Sequence, residues 1–72
     1  MSAAESEREM VQRHVREGEG HVARQRELVA ELRERGDPAE MAVALLAEFE
    51  DLLGLHRAHL SRLDDKNSTH TA

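Results

Sequence analysis

Cysteine, tryptophan and tyrosine are all missing from this 72-residue chain, and phenylalanine and proline occur once each. Without cysteine there is no disulfide and no thiolate metal site. A domain this small draws only a few kcal/mol from its own core, so it is expected to gain stability by oligomerising. Phe49 as the sole aromatic residue leaves no set of platforms on which single-stranded nucleic acid could stack. Long apolar runs are absent too. The strongest, Met41 to Ala47, falls far short of the ~20 residues that cross a bilayer, and Met1 to Arg8 has no apolar segment of the signal-peptide kind. These features predict a cytoplasmic protein that does not enter membranes.

Charge is plentiful and mixed. Ten Lys and Arg stand against fifteen Asp and Glu, a formal net charge of −5, which repels a phosphate backbone unless the basic residues cluster. Arg13, Arg16, Arg24, Arg26, Arg33 and Arg35 do share one segment, but Glu9, Glu17, Glu19, Glu27, Glu31 and Glu34 are interleaved with them. That pattern is a solvated helix face, and it puts nucleic acid third among the candidate partners.

The run Gly36-Asp37-Pro38-Ala39 separates two long helical patterns. Glycine suits the left-handed position past a helix end, aspartate an N-cap, proline the first helical position, and Glu40 a capping carboxylate. Ser2 with Glu5, or Ser6 with Glu9, can form a capping box for the first helix. The prediction is an all-α antiparallel hairpin. Helix 1 covers about residues 3–35, the turn 36–37 and helix 2 about 38–65, followed by a flexible polar tail over 66–72.

In the first segment Val11, Val15, Gly18, Val22, Gln25, Val29 and Leu32 alternate spacings of four and three, a heptad seam. In the second, Ala42, Leu45, Phe49, Leu52, His56, His59 and Leu63 repeat it, and Leu46, Leu53 and Leu60 widen the stripe. One partner helix cannot cover so broad an apolar arc. The spare width predicts an interface built on Leu45, Leu46, Phe49, Leu52, Leu53 and Leu60, pairing two hairpins into a homodimeric four-helix bundle, with docking on a different protein as the competing arrangement.

Gly18 and Gly20 each cost a helix roughly 1 kcal/mol relative to alanine. A turn centred between Gly36 and Asp37 sets Gly18 opposite Leu55 and beside His56, so the missing side chain could admit the imidazole. The same register makes His14 face His59 and Glu17 face His56, with His21 nearby. His14, Glu17, His21, His56 and His59 therefore form a candidate metal cluster, in which imidazole and carboxylate would suit zinc, nickel, copper or iron. Neither the Glu-x-x-His of di-iron bundles nor the His-Glu-x-x-His of zinc hydrolases is present. The alternatives are a polar layer that sets register, with Gln25 reaching toward Glu48, and a pH-responsive group of imidazoles.

The stretch His14-x-x-x-Gly18-Glu19-x-His21-Val22-x-Arg24-Gln25-Arg26-Glu27, followed by Leu45-Leu46-x-x-Phe49-Glu50 and Leu55-His56-Arg57, resembles a group of short bacterial hypothetical proteins over about residues 8–64. The resemblance implies a helical hairpin and brings no activity, substrate or partner with it. Catalysis finds no support in the residues: there is no cysteine nucleophile and no glycine-rich phosphate loop, and Ser2, Ser6, Ser61 and Ser68 have no evident partner base. A non-enzymatic interaction or regulatory module needing no cofactor is the expectation, with a metal-binding module as the alternative.

Overall fold

In the computed structural model, which describes residues 5–69 with side chains through residue 65, two helices form an antiparallel hairpin. α1 spans Glu7–Glu34 and α2 spans Glu40–Thr69. No helix among the described residues is long and apolar enough to cross a membrane.

α1 starts at a complete capping box. The Glu9 N–H donates to Ser6 Oγ at 3.1 Å and the Ser6 N–H donates to Glu9 Oε1 at 3.1 Å, so two helix-end donors are satisfied reciprocally. The helix therefore begins at Glu7 and not near residue 3, while Ser2 lies outside the described residues. The Ser6 backbone N–H, and after it the Ser6 side chain, hold the Glu9 carboxyl below its ordinary value, so the carboxylate half of this cap contributes fully above the usual carboxylate range and is lost as pH falls through it.

α1 ends in a Schellman motif. Gly36 has φ +72°, its N–H donates to the Arg33 carbonyl at 3.1 Å, and the Asp37 N–H donates to the Leu32 carbonyl at 2.9 Å. The turn is longer than 36–37, because the first bond of α2 runs from the Val43 N–H to the Ala39 carbonyl. Asp37 does not cap α2: its backbone closes α1 and its carboxylate lies 3.2 Å from Arg35 Nε. Pro38 accordingly precedes the first helical turn. At the far end α2 continues through Thr69, where a flexible tail from residue 66 was expected. No glycine or proline follows Gly54 to stop it, and residues 70–72 lie outside the described part.

All seven seam positions of α1 are withdrawn from solvent, with Val11, Val22, Gln25 and Val29 buried. The α2 seam is not the expected one. Ala42, Leu46, Phe49, Leu53, His56, Leu60 and Leu63 turn inward, while Leu45 and Leu52 are exposed. Both patterns share Ala42, Phe49, His56 and Leu63, and α1 decides between them. A Cβ on Gly18 would stand 3.1 Å from Leu53 Cδ1, so the bare glycine is the socket for Leu53 and not for His56 or Leu55. Gln25 likewise bypasses Glu48, its Nε2 donating to the Ala42 carbonyl at 3.0 Å. That buried amide is satisfied and pins the register near the connection.

The glycines make unequal demands. Gly36→Val should cost about 1–2 kcal/mol, because a β-branched residue is strained at positive φ. Gly20→Ala should stabilise by up to about 1 kcal/mol, since a Cβ there meets nothing within 4 Å. Equilibrium denaturation of the two variants tests both signs.

Candidate functional site

The hairpin measures 56 × 32 × 14 Å, one helix layer thick, so each helix has two flanks that no other described part of the chain covers. The flanks differ in chemistry. On one, arginines and carboxylates cross-link the helices: Arg8 Nε to Asp64 Oδ1 at 2.8 Å, Arg57 Nη2 to Glu19 Oε2 at 3.0 Å, and Arg26 Nη2 to Glu50 Oε2 at 2.9 Å. Each pair is about half exposed and worth at most about 1 kcal/mol. Spread along the hairpin, they cover one face with matched charge and oppose slippage of one helix on the other.

Among the described residues the opposite flank carries no arginine–carboxylate pair between the helices. Near the connection, Leu28, Leu32, Met41 and Leu45 line an apolar groove of about 570 Å³ with Pro38 at its end. Further along, Phe49, Leu52, His14, His21 and His56 line a second groove of about 260 Å³. Met41 is 88% exposed, Leu55 67%, Leu52 50%, Leu45 41% and Leu28 40%, a large apolar fraction for so short a chain. Of the six leucine and phenylalanine residues expected at an interface, Leu46, Leu53 and Leu60 face α1 instead, Phe49 is half-buried between the helices, and Leu45 and Leu52 remain outward. Leu28 and Met41 complete this face. The spacing of Met41, Leu45, Leu52 and Leu55 along one side of α2 was the signal for it.

The five candidate metal ligands do not converge on one point, because the helices meet two residues away from the expected register. His14 contacts His56, with ring centroids 4.9 Å apart and planes tilted by 48°. His21 stacks on Phe49 at 5.6 Å. His59 Nε2 lies 3.8 Å from Glu7 Oε1, and Glu17 Oε1 lies 3.4 Å from Arg13 Nη1. Among the described residues, no group of three or more His, Asp or Glu is placed to hold a metal ion. The expected pairs His14 with His59 and Glu17 with His56 are therefore replaced by a single His14–His56 contact.

Outside the flanks, Arg13 joins Glu5 through both carboxylate oxygens, Nη2 to Oε1 at 3.0 Å and Nε to Oε2 at 3.1 Å. The bond from Arg13 holds the Glu5 carboxyl below its ordinary value, and Glu5 in turn raises that of Arg13. This clamp ties the segment before α1 to its second turn. No protein-family model, curated protein or solved structure matches the chain.

Proposed function

We propose that the protein is a non-enzymatic interaction module that acts as a homodimer, two hairpins stacking their apolar faces into a four-helix bundle. One observation carries this reading: a hairpin one layer thick has one face cross-linked by charge and the other lined by Leu28, Met41, Leu45, Leu52 and Leu55. The surface area agrees. A compact monomer of this mass exposes about 4,500 Å², whereas the chain exposes 5742 Å². The excess is of the order that one partner contributes to a standard interface, about 800 Å². Four buried apolar side chains, Val11, Val22, Val29 and Leu53, form a very small core for an independent domain.

A second copy suits the face better than a nucleic acid does. The guanidinium groups of Arg8, Arg13, Arg26, Arg35 and Arg57 are already engaged with carboxylates, and the net charge is −5. Light scattering at micromolar concentration is expected to report twice the 8.1 kDa chain mass, with a melting temperature that rises with protein concentration. A monomer whose cooperative melt is independent of concentration would overturn the proposal.

A further inference from the structure

We infer that His14 and His56 form a cross-helix clamp for a divalent transition-metal ion of the nickel, copper or zinc class. The two imidazoles come from different helices, are half-buried and touch each other. With an ion about 2.1 Å from one nitrogen of each ring, two imidazoles sharing it at a near-tetrahedral angle hold their ring centres about 5 Å apart. The observed separation is 4.9 Å. The ring centres therefore already stand close to the separation that a shared ion requires.

The other histidines lack this combination. The His21 ring lies against Phe49, and His59 is turned toward Glu7. His14 and His56 make no hydrogen bond or ion pair with the rest of the described chain, so their nitrogens are uncommitted. They open into the groove that Glu17 also lines, its carboxylate shared with Arg13. Two protein ligands leave the remaining coordination positions to water, which makes this an exchangeable site and not a closed structural one. Each imidazole binds as the neutral ring through a lone pair, so metal competes with protons for it.

Both ligands belong to one chain, in the groove that Leu52 also lines on the face proposed to pair, so metal content and subunit count are read together. The test is titration of the full chain, purified without chelator, with nickel chloride and with zinc chloride at pH 7.5, read by calorimetry and native mass spectrometry. One ion per chain is expected, with at least tenfold weaker binding in His14→Gln and in His56→Gln and unchanged binding in His59→Gln and His70→Gln. In the wild type, substoichiometric nickel should broaden the His14 and His56 ring resonances in NMR spectra before those of His59. This measurement decides the matter even if a variant loses helicity. Absence of saturable binding, survival of binding in a folded His14→Gln, or first broadening at His59 or His70 would overturn the inference.

Discussion

Leu53→Asp is expected to abolish the helical circular dichroism signal at 25 °C. Leu53 is 5% exposed and fills the socket over Gly18, so an aspartate there would bury a carboxylate while the nearby Arg26 and Arg57 are already paired with Glu50 and Glu19. An unpaired charge in such a place costs several kcal/mol, comparable with the entire stability of a domain this small. The neighbouring substitution makes the comparison diagnostic. Leu52→Asp, one residue away and 50% exposed, disturbs no contact between α1 and α2 that depends on Leu53. At high protein concentration it should keep its helical signal. If Leu53→Asp folds and Leu52→Asp does not, the inward and outward faces of α2 have been exchanged.

The second large effect concerns assembly. Leu45→Asp combined with Leu52→Asp should convert the proposed dimer to monomer, because both side chains lie on the uncovered face and a twofold axis repeats each substitution. If the two charges together remove about 4 kcal/mol of association free energy, the dissociation constant rises roughly a thousandfold. Sedimentation velocity across a concentration series reads that shift directly. A double variant that sediments as the wild type does would place the interface elsewhere. Arg26→Ala on the charged face is the matched control, since its ion pair with Glu50 is exposed and its removal should barely change association.

Local signals in the sequence carried the hairpin well. Gly36 is the only residue with positive φ among those described, and glycine at a helix end is a signal that needs no tertiary information. Ser6 with Glu9 was one of two capping boxes the sequence offered, and the start expected near residue 3 moved to Glu7 because this second box is the one that forms. The α1 seam was legible because its apolar residues form one narrow stripe that could face only one way. α2 offered no such uniqueness: Leu45 and Leu46, or Leu52 and Leu53, are adjacent and equally apolar, so periodicity alone cannot choose between them. The choice came from α1, where a glycine and not a side chain stands opposite Leu53.

The histidines show how such an error spreads. Once the register moved, His14 met His56 in place of His59, three residues further along, and the expected five-residue cluster separated into a pair and three residues engaged elsewhere. The composition of a candidate metal site survives in a sequence, whereas its geometry depends on register to within one helical turn. The ion pairs Arg8–Asp64, Glu19–Arg57 and Arg26–Glu50 lie at unequal distances from the turn, so aligning opposite charges would not have corrected the register.

The unlike chemistry of the two faces also limits how far assembly can go. A flat hairpin with apolar residues on both sides could stack without end, each added copy offering a fresh sticky surface to the next. In the proposed dimer the second copy would bury the sticky side of the first and turn the salt-linked faces outward, so growth would terminate at two. The salt-linked face, modest in its own stability, would then matter most as the feature that prevents a pair from becoming a fibre.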